Sequence, residues 1–243
     1  MKVVPTVSTN FQYVWFLWAS VFLLPWAALF AARPALRQPM LRASALTSLF
    51  GLTEPLFVPA YWNPPSLFEL AQRTRFDIES IIFSFAIGGI GAVAYGAVTR
   101  AHLVRMPGGV RHEPWHRFHR AALLLPPAVF VPLALLPWNP IYPAMASLAL
   151  GGAAAVACRP RLAGKTLAGG LLFAALYAVF MLGLSLSAPG YIGQVWNLAA
   201  LSGGVIGGIP VEELLFGAAF GLYWTSVFEH LTWRHSVPHE GGP

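Results

Sequence analysis

Seven apolar stretches alternate with short polar connections along the chain, at residues 11–32, 43–59, 80–98, 121–138, 141–158, 166–186 and 210–233. Each approaches the roughly 20 residues an α-helix needs to cross the hydrocarbon core of a bilayer. The pattern therefore predicts an all-α, polytopic membrane helical bundle of about seven transmembrane helices. Pro126, Pro127 and Pro132 inside the fourth stretch are compatible with this, because neighbouring helices in a membrane can satisfy the carbonyls that a proline frees. The second stretch is interrupted by Glu54-Pro55, and there Glu54 reads as a helix-end residue near the interface, where the proline breaks the helix.

Composition sharpens the class. Hydrophobic residues make up 57% and charged residues 10% of the 243 positions, and the mean hydropathy is +0.63. An ordinary soluble domain carries roughly 25% charge. The net charge of +6 would suggest nucleic acid in a soluble chain. Here the basic residues fall in short loops, where they report orientation in the membrane and exclude a nucleic-acid partner. Arg33, Arg37 and Arg42 follow the first stretch; Arg100, Arg105, Arg111, Arg117 and Arg120 follow the third; Arg159, Arg161 and Lys165 follow the fifth. The connections after the fourth and sixth hold no Lys or Arg. This alternation predicts an integral membrane protein with its N-terminus outside and its C-terminus cytoplasmic. The first stretch is expected to be a retained helix, since one lysine, Lys2, precedes it and the arginines follow, the reverse of a signal peptide. The single cysteine, Cys158, rules out an intramolecular disulfide.

The chain also repeats itself. Phe76-Asp77-Ile78-Glu79-Ser80-Ile81-Ile82-Phe83 aligns with Ile209-Pro210-Val211-Glu212-Glu213-Leu214-Leu215-Phe216, pairing Glu79 with Glu212 and Phe83 with Phe216. Trp62-Asn63 has a counterpart in Trp196-Asn197, and Arg33-Pro34 in Arg159-Pro160. A tandem duplication follows. Within one membrane domain spanning residues 1–243, repeat one covers 11–99, a basic cytoplasmic loop plus linker helix covers 100–138, repeat two covers 139–233, and 234–243 is a flexible tail. With the linker helix between them, the two three-helix repeats run parallel, an arrangement that places sites at the repeat interface.

Candidate chemistry concentrates where the repeats match. Ionisable groups at membrane depth are costly, which makes Glu79, Glu212 and Glu213 candidate site residues. Pro210 suits the first turn of a helix, so the glutamates are expected at helix starts on the outer side. Phe83 and Phe216 each follow a glutamate by four residues, on the same helix face. An acid beside an aromatic ring suits protonation of an alkene followed by stabilisation of the cation by the ring face. Asp77, Trp62, Trp196, Tyr61 and Tyr191 are candidates to line the same cavity; taken singly, each aromatic also fits an interfacial belt. His112-Glu113-Pro114-Trp115-His116 matches H-E-x-x-H in letters. Pro114 starts a helix there and leaves His112 outside it, so no metal site is expected, and the histidines read as a basic juxtamembrane face. Gly217 and Gly221 form a G-x-x-x-G pair, which reads as close helix packing.

Pro210-Val211-Glu212-Glu213, followed by Leu214-Leu215-Phe216 and preceded by Trp196-Asn197, resembles the lycopene cyclase domain family of membrane-integral, heterodimeric or fused carotenoid cyclases, which carry P-x-E-E/D motifs in two homologous halves. The resemblance implies cofactor-independent, acid-initiated ring closure of a linear polyene end group, a non-redox isomerisation. It implies catalytic roles for Glu212, Glu213 and, in degraded form, Glu79, with Phe83, Phe216, Trp62, Trp196 and Asp77 around the substrate. The partners implied are a lipophilic polyene, the lipid bilayer and either other carotenoid-pathway enzymes or a second copy of the chain. The first repeat departs from the motif, since Asp77-Ile78-Glu79-Ser80 lacks both the proline and the second acid. Two alternatives stand beside this reading. One is a CAAX-type intramembrane protease, which also places Glu-Glu before an apolar helix but expects arginine where Gly217 stands. The other is a non-catalytic carotenoid-binding or assembly subunit.

Overall fold

The computed structural model of the protein describes residues 11–109 and 114–237. Of the described residues, 76% are helical, in keeping with the all-α expectation. The long helices are α1 (Val14–Ala32, in two segments that meet at Phe22), α2 (Arg37–Ser48), α3 (Ile78–Thr99), α4 (His119–Ala134), α5 (Ile141–Cys158), α6 (Ala163–Ser187) and α7 (Val211–Thr232). Among the described residues, four helical stretches are long and apolar enough to cross a membrane: Val14–Ala32, Ile78–Thr99, Ile141–Cys158 and Pro160–Ser187. Large aliphatic side chains such as Leu17, Leu24, Leu124, Leu171, Val179 and Leu186 are exposed on the outside of the bundle, while Ser44, Thr47, Glu79, Glu212, Glu213 and Glu229 are buried inside it. Lipid is the solvent that this inversion suits.

The other three apolar stretches take different forms. The second is expected as one span over 43–59, yet α2 ends at Ser48 and the chain continues as a 3₁₀ helix over Leu49–Leu56 with Pro55 inside it. Proline frees a carbonyl and tightens the turn. Helix α4 is shorter than the spans and keeps its three prolines inside. Helix α7 has 22 residues, as many as α3, but carries Glu212, Glu213, Glu229 and His230 and is the most enclosed of the set, packed against α3, α5 and α6. Gly217 and Gly221 let it approach α6. A Cβ on Gly221 would stand 2.8 Å from the Phe173 Cβ and 3.0 Å from the Gly170 Cα, and one on Gly217 would meet the Tyr177 ring.

Pro210 was expected in the first helical turn. Instead it is the residue before α7, extended at φ −55° and ψ 137°. It pairs in a two-residue strand β3 (Ile209–Pro210) with β2 (Val205–Ile206), where Gly207 and Gly208 turn the chain at φ +60° and +82°. Two left-handed residues in succession make the turn that matches the twist of a tight hairpin. A further correction concerns the end of the chain: Arg234–Val237, placed by the pattern in a flexible tail, is a strand that pairs antiparallel with β1 (His102–Arg105). With β2 and β3 between them in sequence, it is β4.

Several features recur in the two halves. Arg33 and Arg159 both end a helix in extended backbone and lead into a three-residue 3₁₀ turn, Pro34–Leu36 and Pro160–Leu162. Helices α3 and α7 both end at a left-handed residue, Arg100 at φ +57° and Trp233 at φ +50°, and both run on toward the paired strands β1 and β4. At the other end of the bundle Trp62 and Trp196 form an antiparallel bridge. There the Asn63 N–H donates to the Val195 carbonyl and the Asn197 N–H to the Tyr61 carbonyl, both at 2.8 Å.

The tight α6/α7 approach yields a direct test. Gly221→Val forces atoms into backbone and is expected to cost about 1–3 kcal/mol, read as a lower melting temperature in detergent. Gly193→Ala, whose Cβ meets nothing within 4 Å, is expected to leave the melting temperature unchanged.

Candidate active site

Glu212 and Glu213 occupy the first turn of α7, where unpaired backbone N–H groups favour negative charge, and they are 1% and 4% exposed. Being adjacent, they turn to different partners. Glu213 is fully engaged: it accepts hydrogen bonds from the Tyr61 hydroxyl, from the Tyr177 hydroxyl at 2.5 Å and from Trp196 Nε1 at 2.7 Å. Tyr61 and Trp196 belong to opposite sides of the bridge between the halves, so this carboxylate binds the joint together. Burial, with the Glu213 charge beside it, pushes the Tyr61 hydroxyl well above its ordinary range, which keeps it a donor. Glu212 is held on one side only. Its Oε1 accepts from the Tyr142 hydroxyl at 2.9 Å and from the Ser202 N–H at 2.8 Å, and its Oε2 is buried with no partner among the described residues.

Glu79 has the same arrangement. It sits in the first turn of α3, fully buried; one oxygen accepts the Leu67 N–H at 2.7 Å and the other is unpartnered among the described residues. In both halves the pinning N–H comes from the loop just before the helix, 12 residues upstream for Glu79 and 10 for Glu212. Asp77, expected beside the substrate, caps α3: its Oδ1 accepts the Ser80 N–H at 2.5 Å, as N-cap carboxylates do. Burial raises its pKa to about 6. The Asp77 Oδ2, the Ser80 hydroxyl, Trp15 Nε1 and the Tyr191 hydroxyl are further buried polar atoms with no partner among the described residues. Leu67 also lines an open cavity of about 390 Å³ with Gln12, Tyr13, Phe68, Glu69 and Arg73.

Glu54 is one of the residues that sequence reasoning missed. Far from ending a helix at an interface, it is buried within the 3₁₀ segment and accepts Trp62 Nε1 at 2.6 Å. Trp62 therefore donates to Glu54 as Trp196 donates to Glu213, and the second acid that position 80 lacks comes to the first half from another element. A glutamate inside an apolar run was the available signal; the neighbouring proline obscured it.

The aromatic candidates are buried among protein groups, which removes them from an interfacial belt: Trp62, Trp196, Tyr61 and Tyr191 are all below a tenth exposed. Phe83 and Phe216 converge on Tyr177, with ring centroids at 6.3 and 5.9 Å. Phe83 also packs on Trp15 and Phe22, at 5.3 and 5.5 Å. Trp62 lies 4.7 Å from Trp15 and 5.2 Å from Trp196. The structure thus brings Glu213, Tyr61, Tyr177 and both tryptophans into one aromatic wall shared by the halves. Tyr142 and Tyr177 were not singled out in the sequence, although a lone tyrosine in the apolar stretch 166–186 is a hydroxyl needing a buried partner. His112 and Glu113 of the H-E-x-x-H pattern lie outside the described residues.

Residues 139–231 match the family model described as lycopene cyclase. The matched segment contains Tyr142, Tyr177, Trp196, Ser202, Glu212, Glu213 and Phe216. No curated protein and no solved structure matches the chain.

The three donors on Glu213 set its response to substitution. Glu213→Ala leaves three buried donors without an acceptor, each costing about 1–3 kcal/mol, and is expected to abolish a resolvable melting transition or lower it steeply. Glu213→Gln keeps a carbonyl for Tyr61 and Trp196, and Tyr177 can accept from the amide. Its melting temperature is expected to stay near wild type.

Proposed function

We propose, from the match of residues 139–231 to the lycopene cyclase family model, that the protein is a membrane-integral carotenoid cyclase that closes the end group of a linear, lycopene-type polyene. The reaction is acid-initiated and redox-neutral. A carboxylic acid delivers its proton to the terminal alkene, the neighbouring double bond attacks the resulting tertiary cation to close a six-membered ring, and a carboxylate removes a proton from the ring. One proton enters and one leaves, so the product is an isomer of the substrate.

The observation that carries this reading is the half-pinned carboxylate. Glu212 has one oxygen fixed by Tyr142 and the Ser202 N–H and the other unpartnered among the described residues, and Glu79 repeats the pattern with Leu67. An oxygen held by donors acts as acceptor; the proton to be transferred belongs on the other. Protonating an alkene demands a dry site in which the neutral acid exists and the cation meets electron-rich surroundings. The rings of Phe216, Tyr177 and Phe83 supply quadrupole faces, and Glu213, saturated by donors, is suited to remain the counter-charge. Glu54 is suited to the same duty beside Glu79. The matched corners, the equal helices and the Trp62–Trp196 bridge support two parallel repeats, one acid site in each, with the polyene bound between the carboxylate ends and the bilayer interior.

Co-expression with a lycopene-producing pathway tests the function. Wild type is expected to convert red lycopene to cyclic products. Glu212→Gln, which keeps shape but removes the transferable proton, is expected to lose about 10²- to 10⁴-fold in rate at normal membrane abundance. Glu79→Gln is expected to lose activity as well. Retention of bound, unconverted lycopene by wild type would identify a binding subunit instead, and full activity in both Gln variants would make the carboxylates structural.

Orientation has its own check. Reporter fusions after Arg161 are expected to read cytoplasmic, and fusions after Asn139 and Pro189 external. A cytoplasmic signal at Pro189 would overturn the parallel repeats.

A further inference from the structure

The end of the bundle opposite the carboxylates holds a second cluster of reactive side chains, which the cyclase reading does not use. His116 lies in the 3₁₀ turn Pro114–Phe118, His119 is the first residue of α4, and Cys158 is the last residue of α5. One ligand atom from each of the three lies within 4.8 Å of the others. The Cys158 Sγ and His116 Nδ1 are already 3.8 Å apart. Two ligands on a tetrahedral zinc, at bond lengths of about 2.3 Å for sulfur and 2.0–2.1 Å for nitrogen, stand roughly 3.5 Å from each other. The cluster is therefore within a side-chain adjustment of coordination geometry, with no movement of helices required.

We propose that His116, His119 and Cys158 form a zinc site. The spacing i, i+3 puts both imidazoles on one face of the turn that opens α4, and Cys158 meets them from the end of α5. Trp233 stacks on the His119 ring at 3.9 Å and 14° and lies 5.4 Å from the His116 ring, so an indole walls the cluster. All three ligand residues are below a tenth exposed. A thiolate with two imidazoles selects zinc over magnesium or calcium, which take oxygen ligands. The Arg159 guanidinium, next in sequence to Cys158, is engaged by Glu229 at 3.4 Å, which moderates its repulsion of a dication. On binding, the Cys158 S–H proton leaves to solvent and the sulfur takes the metal, while both histidines stay neutral.

The site's role follows from its place. Trp233 caps the C-terminal end of α7, 21 residues beyond Glu212, a separation of about 32 Å at 1.5 Å per residue. A metal there takes no part in proton transfer to the polyene. It ties the start of α4 to the end of α5, hence the linker helix to the second half. The H-E-x-x-H letters mislead about the ligand set, because the partner of His116 is one turn onward and on a neighbouring helix.

Full-length protein without a histidine tag, in detergent and stripped with chelator, is the material for the test. Zinc titration is expected to give one ion per chain by elemental analysis and a higher melting temperature, with no effect of magnesium. Cobalt is expected to produce a thiolate-to-metal charge-transfer band. Cys158→Ser, nearly isosteric, is expected to remove that band, to weaken zinc binding on the order of tenfold or more and to cancel the thermal shift; His119→Ala is expected to weaken binding likewise. Absence of stoichiometric zinc uptake overturns the proposal. So does cobalt binding without the thiolate band, or zinc affinity and thermal shift unchanged in Cys158→Ser.

Discussion

Carboxylates in an apolar interior must find donors, and that requirement organises this protein. Glu54, Glu79, Glu212 and Glu213 are all buried, and in a bilayer no water reaches them cheaply. The donors are drawn from what an apolar sequence offers: indole N–H groups, phenol hydroxyls and the main chain. Trp62 and Trp196 serve Glu54 and Glu213; Tyr61 and Tyr177 complete Glu213; loop N–H groups of Leu67 and Ser202 serve Glu79 and Glu212. The loops are consequently folded back onto the helix starts, and the two halves are locked at the place where their aromatic residues meet.

The division of labour between adjacent glutamates follows from helix geometry. Neighbouring residues on a helix point about 100° apart, so Glu213 faces the shared aromatic wall while Glu212 faces Tyr142 and the loop at Ser202. Glu213 has both oxygens in hydrogen bonds, whereas Glu212 has one oxygen held and the other without a partner among the described residues. A single residue could not hold both conditions, which gives the doubled acid a physical reason.

Much of this was legible in the chain. Glutamates inside apolar stretches, an aromatic four residues on and the repeated Trp-Asn pair pointed to Glu79, Glu212, Glu213, Phe83, Phe216, Trp62 and Trp196, and the structure places all of them in or beside the buried network. What stayed hidden depends on contacts across the fold. Tyr177 and Tyr142 look like ordinary apolar-helix residues until α6 and α5 pack on α7. Glu54 was obscured because its proline neighbour speaks to local backbone, whereas its burial is decided by Trp62, eight residues away. The pairing of β1 with β4 joins residues 129 to 135 positions apart, and short polar strands leave no periodic trace in a loop dominated by arginine.

The joint at Trp62 and Trp196 has a property beyond strength. The hydrogen bonds across it are reciprocal: the residue after each tryptophan donates to the residue before the other. Each edge presents to its partner what its partner presents to it, so the surface is self-complementary in the sense required of a two-fold dimer. A polypeptide consisting of one half alone would carry, on that one edge, both the donor and the acceptor needed to meet a copy of itself. The joint thus meets the geometric requirement of a two-fold contact, while the carboxylates beside it differ: Glu213 accepts from Trp196 on one side and Glu54 from Trp62 on the other.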